Sequence, residues 1–242
     1  MTKPVHIPTY LVCDCVFLPD NGRFANLRPV VLPQDWSFCR YFGRKTFLYK
    51  ALWQNDKNQM ADNGGLSKLG RHYLAGLQKH MAEMSMVSAT TPNAYRRRQP
   101  YSFCPTNNTW GVDNRTVGLR IILGNDSAVR VEKRDGSADC NPYLLLALEI
   151  AAGLKGIEDG LEPTAETLGN GYEVEGHQPI PTDLGTAVAL ARESDLMAEV
   201  LGPDLLEILI GQSEREIEFV ANQVTPVEID RYLENFWWKS PG

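Results

Sequence analysis

The stretch "DNRTVGLRIILGNDSAVRVEKR", Asp113 to Arg134, most constrains the fold of this chain. Val117, Leu119, Ile121 and Leu123 alternate with Thr116, Gly118, Arg120 and Ile122. Gly124-Asn125-Asp126 then signals a turn, and Val129 and Val131 alternate with Arg130, Glu132 and Arg134. Period-two alternation on both sides of a turn predicts a β-hairpin. Strand residues two apart point the same way, so Arg130, Glu132 and Arg134 share one face. Arg120 falls on the partner strand, and Arg115 lies just before that strand.

The hairpin is cationic in an acidic chain, which has 24 Lys and Arg against 30 Asp and Glu. Two readings of it are open. One is a solvated polar face whose long charged side chains discourage edge pairing. The other is a polyanion site. Arginine meets phosphate and carboxylate with paired donors and keeps its charge. A lone glutamate among arginines is a hard oxygen ligand suited to magnesium beside phosphates. Phosphoryl transfer builds negative charge that such a set stabilises in advance. Arg96, Arg97 and Arg98 add cations upstream. With Tyr95, Tyr101 and Phe103 they also have the residue types of a single-strand stacking surface. The formal charge of -6 argues against nucleic acid as a partner.

The flanks predict helices on a sheet. Ser67 can cap a helix, and Leu69, Tyr73, Leu74, Leu77, Met81 and Met84 follow at helical spacing, about five turns with one apolar face. Asn141-Pro142 opens an apolar run from Tyr143 to Leu154, long enough for a buried helix, with Gly153 and Gly156 loosening its end. Residues 159–182 read as a surface excursion, and three or four helices close the chain. Thr182 and Ser194 are candidate caps, and Thr225-Pro226-Val227-Glu228 is a capping box with proline at the first helical position. Thr225 to Phe236 then reads as a terminal helix docked on the core, with Trp237-Trp238 as a packing anchor. Residues 1–50 carry scattered prolines and no sustained period.

The five cysteines, Cys13, Cys15, Cys39, Cys104 and Cys140, have no metal-site or disulfide spacing and read as reduced thiols. His6, His72, His80 and His177 are too scattered to share a metal. No apolar run reaches the ~18 residues of a membrane span. No membrane partner is expected, and the expected location is cytoplasmic.

Longer blocks are more specific. Asn93-Ala94-Tyr95-Arg96-Arg97, Pro105, Trp110-Gly111-Val112-Asp113-Asn114-Arg115, Arg120, Arg130-Val131-Glu132-Lys133-Arg134 and Asn141-Pro142-Tyr143-Leu144 follow one another in order. Together they resemble the C-terminal half of the catalytic domain of the glutamine synthetase family. The segments Gly65 to His80 and Ala152 to Ile157 look like the family helices on either side. The resemblance runs from about Leu52 to the C-terminus. It implies an α/β fold of the α+β type: a partial antiparallel, barrel-like sheet backed by helices, with a helical C-terminal segment. Residues 1–51 form an irregular segment unlike the family, and residues 52–242 the catalytic-domain part.

The family joins glutamate to ammonia or an amine. ATP phosphorylates the γ-carboxylate, and the amine then displaces phosphate. By position the resemblance implies that Glu132 binds metal (Mg2+ or Mn2+) near the γ-phosphate and that Arg115 contacts phosphate during transfer. It places Arg120 and Arg130 on the nucleotide side and has Arg97 and Arg134 hold glutamate. Asn141 and Pro142 match a helix entry. The implied partners are glutamate, ammonia or an amine, and other copies of the chain, since the family builds rings.

Three departures stand out. Phe47, Tyr49 and Ala51 occupy positions where the family has two histidines and a serine, and phenylalanine offers a metal no ligand. Phe103 occupies the position of a glutamate that closes the site in ammonia-using members, which suits a larger amine. The family's N-terminal β-grasp domain and first barrel strands have no counterpart, and no E-x-E segment precedes Leu52. Two functional expectations follow: a γ-glutamyl ligase, or a truncated non-catalytic relative that binds nucleotide or joins family oligomers. In either case a barrel lacking its first strands leaves strand edges unpaired.

Overall fold

The computed structural model describes residues 10–16, 47–54 and 57–234. His6, Cys39, Lys45, Thr46, Phe236, Trp237, Trp238 and the side chains of Cys13, Cys15, Phe47 and Tyr49 lie outside the described residues. In chain order the strands are β1 (Tyr10–Val16), β2 (Phe47–Gln54), β3 (Lys57–Asn58), β4 (Ala61–Asp62), β5 (Gly65–Leu66), β6 (Trp110–Val112), β7 (Leu119–Ile122) and β8 (Arg130–Lys133). The helices are α1 (Lys68–His80), α2 (Ser85–Ser88), α3 (Pro92–Tyr95), α4 (Pro142–Glu158), α5 (Leu184–Arg192), α6 (Asp195–Leu201), α7 (Pro203–Ala221) and α8 (Pro226–Glu228). A π-type turn, Ile229–Glu234, follows α8.

The hairpin is present. β7 and β8 pair antiparallel, with Arg120 opposite Glu132 and Ile121 opposite Val131. The sheet runs β1-β2-β8-β7-β6, and β3 pairs with β2. Two details differ from the sequence reading. Strands occur within residues 1–50, where no period is visible, because β1 pairs with β2 along its whole length. And β6 lies parallel to β7, not antiparallel. Parallel neighbours normally need a crossover of a dozen or more residues. Here residues 113–118 make the return, which is why β7 begins at Leu119 rather than Thr116. Asp113 enables it with a left-handed φ of 48°. The Asn114 side chain accepts from the Thr116 N–H at 2.9 Å, an Asx turn that completes the reversal.

Helices back the sheet. The Ser67 hydroxyl accepts from Gly70 N at 3.0 Å and caps α1. The helix ends at His80, short of the expected five turns. Its apolar spacing survives the break, since Met81 and Met84 are fully buried. Asn141 caps α4 by accepting from Tyr143 N and Leu144 N, with Pro142 at the first position, so this motif is a helix entry. The α4 glycines do not loosen its end, which runs on to Glu158. They let α1 and α4 cross closely: a Cβ on Gly153 would lie 2.0 Å from the Tyr73 ring, and one on Gly76 2.1 Å from the Ala152 carbonyl. Tyr73, Leu74, Leu77, Leu119, Ile121, Val131, Leu145 and Leu148 form one core between helices and sheet.

Residues 161–183 are a strap rather than an excursion. Trp110 Nε1 donates to Thr164 O at 2.7 Å, Thr167 N to Trp110 O at 2.9 Å, and Asn107 Nδ2 to Gly171 O at 2.8 Å. An indole N–H, a backbone carbonyl and a side-chain amide thus satisfy the strap's backbone and cover the edge at β6, which answers the expected unpaired edge on that side. Asp183, not Thr182, caps α5, while Ser194 caps α6 and Thr225 with Glu228 forms the capping box of α8. The described residues from Pro226 to Tyr232 are exposed, so this part does not dock on the core. Among the described residues no helix is long and apolar enough to cross a membrane.

Candidate active site

The hairpin face is not a solvated one. Glu132 and Arg134 are only 2% and 3% exposed. Arg120 Nη1 donates to Glu132 Oε2 at 3.1 Å, and Arg134 Nε lies 3.3 Å from Glu132 Oε1. Arg120 also donates through Nη2 to Asp113 Oδ1 at 3.0 Å, so the left-handed turn residue orients the guanidinium beside Glu132. Arg134 reaches the main chain on two sides, donating to the carbonyl of Arg115 and to that of Phe103. Burial pulls the Arg134 pKa below the usual guanidinium range; the Glu132 carboxylate opposes this and the Arg120 charge adds to it.

The structure therefore brings Arg120, Glu132 and Arg134 together and joins the main chain of Arg115 to them through its carbonyl. Arg115 is exposed on the return loop. Arg97 is one residue removed from Arg134: its Nη2 donates to the carbonyl of Asp135, while Nε and Nη1 are buried without a hydrogen-bond partner among the described residues. Arg130 stands two residues before Glu132 on β8 and donates to Ala128 O at 2.8 Å. Tyr101 and Phe103, 69% and 58% exposed, carry left-handed φ values of 63° and 57°. Among the described residues four non-glycine residues have positive φ, and two of them, Phe103 and Asp113, bond to this cluster through Arg134 and Arg120; such strain gathers at binding sites. Tyr95 and Arg98 are buried, with the Arg98 guanidinium 4.6 Å above the Tyr95 ring, so neither is open to a nucleic-acid base.

The sequence reading missed the opposite face of β8. Lys133 Nζ contacts Asp135 Oδ1 at 2.5 Å and Glu149 Oε1 at 3.5 Å, and Lys50 pairs with Glu149. Asp135 Oδ2 accepts from Ser88 Oγ at 2.9 Å and faces Arg98 Nη2 at 3.8 Å. All five charged groups are sealed from solvent. Burial alone would raise the Asp135 pKa, but the Lys133 and Arg98 charges outweigh it and hold it below the ordinary carboxylate value. A signal was available: Glu132 to Asp135 are four consecutive charged residues, so a strand there must carry charge on both faces.

Among the described residues no three His, Cys, Asp or Glu gather as a metal site. His72 Nδ1 meets the Leu161 carbonyl at 2.5 Å, and His80 meets Glu83. Glu132 is the one buried carboxylate amid the site's guanidinium groups. That donor set fits a magnesium ion held mainly by nucleotide phosphates and water, with a single protein oxygen, rather than a cage made by the protein alone.

Comparison with known proteins points to one family. The family model described as "Glutamine synthetase, catalytic domain" matches residues 41–232. The gamma-glutamylethanolamide synthetase of Streptomyces coelicolor is 38% identical over 193 residues, covering 79% of this chain and 41% of the relative. The glutamate–isopropylamine ligase of a Pseudomonas species is 37% identical over 173 residues, covering 71% of this chain and 38% of the relative. A solved apo GmaS structure superposes with a TM-score of 0.70 at 28% identity, over 81% of this chain and 46% of the other. A GmaS–ADP complex does so at 0.69 and 26%, over 78% and 46%. The chain spans less than half the length of each of these relatives.

Proposed function

The chain belongs to the glutamine synthetase family, and on that premise we propose that it carries the phosphate- and glutamate-binding part of an ATP-dependent γ-glutamyl–amine ligase. The observation that carries the reading is Glu132 held between Arg120 and Arg134, with Arg134 bonded in turn to the main-chain carbonyl of the exposed Arg115. In the reaction the glutamate γ-carboxylate attacks the γ-phosphorus of ATP, the bond to the bridging oxygen breaks, and ADP leaves. The amine nitrogen then attacks the acyl phosphate carbon, phosphate departs, and the amine proton passes to solvent or a base.

Each residue has a part in that sequence. Arg97 and Arg134 hold the carboxylates of glutamate. Arg120 and Arg130 meet the nucleotide phosphates. Arg115, exposed on the return loop, meets the phosphoryl group in transfer and neutralises its equatorial oxygens. Glu132 would supply one oxygen to a magnesium ion, which when bound would withdraw charge from the phosphates. The unused donors of Arg97 await a carboxylate, since a buried guanidinium N–H left unpaired is costly. Phe103, exposed and adjoining Arg134 through its carbonyl, offers an apolar wall to the acceptor. That favours an amine with a carbon body over ammonium, as in the ethanolamide- and isopropylamide-forming relatives. We also assign residues 52–242 to the catalytic-domain part, and assembly with other copies of the chain to the family pattern.

The test is phosphate release from Mg-ATP by the chain with L-glutamate and a panel of amines. Amine-dependent release that falls about a hundredfold or more in Arg115→Ala is expected. Release independent of glutamate, or equal in Arg115→Ala, contradicts the reading. One observation favours a second reading, nucleotide binding without turnover: Glu132 is already matched by two guanidinium groups. ADP binding with no phosphate release under any amine would select it.

A further inference from the structure

The sealed face of β8 does more than hold the sheet together. Asp135 makes two separate attachments to two consecutive residues, Arg97 and Arg98. Its main-chain carbonyl accepts from Arg97 Nη2. Its carboxylate faces Arg98, whose Nη1 donates to Pro181 O at 2.7 Å and whose plane stacks on Tyr95. The carboxylate is itself fixed by Lys133 at 2.5 Å and Ser88 at 2.9 Å. Asp135 is fully buried, and both of its carboxylate oxygens are taken by Lys133 and Ser88. Arg97 is left with one nitrogen pinned and two buried nitrogens unspent. A long side chain held this way loses less freedom when an anion arrives than one that must be ordered from solvent.

We propose that Asp135 is the positioning residue for Arg97: anchored by Lys133, Ser88 and Arg98, it holds the guanidinium where a substrate carboxylate takes its free donors. The assignment of glutamate as that substrate rests on the function proposed above. The anchor itself does not.

The test uses two variants of the whole chain and two readouts. Asp135→Asn removes the anchoring charge, while Lys133 keeps Glu149 at 3.5 Å. Ser88→Ala removes a single bond to the carboxylate and is the milder change. The first readout is the 15N-resolved Arg97 Nε–H signal, identified by its loss in Arg97→Lys. The second is calorimetric affinity for L-glutamate and, separately, for ADP. In both variants the Arg97 signal should broaden and exchange faster with water, more so in Asp135→Asn. Glutamate affinity should fall roughly tenfold to a hundredfold in Asp135→Asn, with ADP affinity unchanged, a split that general destabilisation does not produce. An unchanged Arg97 signal overturns the proposal, and if Asp135→Asn does not fold, Ser88→Ala decides it by the same signal. If the wild-type chain binds no glutamate, the functional reading fails while the Arg97 signal still decides the anchor.

Discussion

The two sides of β8 hold nearly the same chemical inventory. Around Glu132 stand Arg115, Arg120, Arg134 and Asp113; around Asp135 stand Lys50, Lys133, Arg98 and Glu149. Each set has three cations and two carboxylates. They differ in access. Glu132 and Arg134 are as buried as the second set, at 2% and 3%, but Arg115 and Asp113 are exposed at the margin of the first and Arg120 is 19% exposed at the side chain, whereas no member of the second exceeds 3%. An ion pair that water can reach can exchange its partner for a phosphate or carboxylate. One that water cannot reach can only be kept or broken, and breaking it strands a charge. The same residue types can therefore meet a ligand on one side and serve only as an anchor on the other, about 10 Å of extended chain apart.

The largest expected effect breaks the sealed side. Lys133→Met leaves Asp135 and Glu149 facing one another with fewer cations, and should cost about 3–5 kcal/mol in denaturant unfolding. On the open side, Arg120→Met leaves Glu132 still paired with Arg134 and should cost less stability than Lys133→Met while abolishing nucleotide binding. Equal losses of stability in the two variants would erase the distinction drawn between the faces.

A smaller effect concerns pH. The folded Asp135 pKa lies below its unfolded value of about 3.9. Its stabilisation is therefore complete above that unfolded value and is lost as pH falls through the lower folded one. Acid unfolding curves should be shallower below about pH 4 in Asp135→Asn than in the wild type. A steeper curve in the variant would mean that the carboxylate is not held ionised by Lys133 and Arg98.

The smallest effect is a reporter. Cys140 lies beside this cluster, and burial pushes its thiol up to about 12. At pH 8 it should resist alkylation in the folded chain and react once the chain is unfolded, and labelling should be faster in Lys133→Met than in Arg120→Met. Rapid modification of the folded wild type would show that the second face is open after all.

Much of this was legible in the sequence, for identifiable reasons. The hairpin and the caps at Ser67, Asn141, Ser194 and Thr225 announce themselves because local chemistry sets them. The pairing of Glu132 with Arg120 follows from strand register. What escaped depends on residues far apart in the chain. Lys50 and Glu149 meet only because β2 and α4 approach the same strand. The parallel β6 turns on one left-handed residue, Asp113, which has no strong signature. The strap at 161–183 reads as loose because its partners, Gln78, Asn107 and Asn114, lie more than fifty residues upstream. Gly153 and Gly156 look like helix breakers until Tyr73 and Gly76 occupy the space they leave.

The central claim is that the open face of β8 moves a phosphoryl group from ATP to glutamate. The most direct measurement is positional exchange of 18O between the bridging and non-bridging oxygens of the β-phosphate in labelled ATP, without any amine. Reversible formation of γ-glutamyl phosphate scrambles the label. The account predicts scrambling that requires L-glutamate and magnesium and disappears in Arg115→Ala and Glu132→Gln. Amine-dependent amide formation with no scrambling, or scrambling that persists without glutamate, would contradict it.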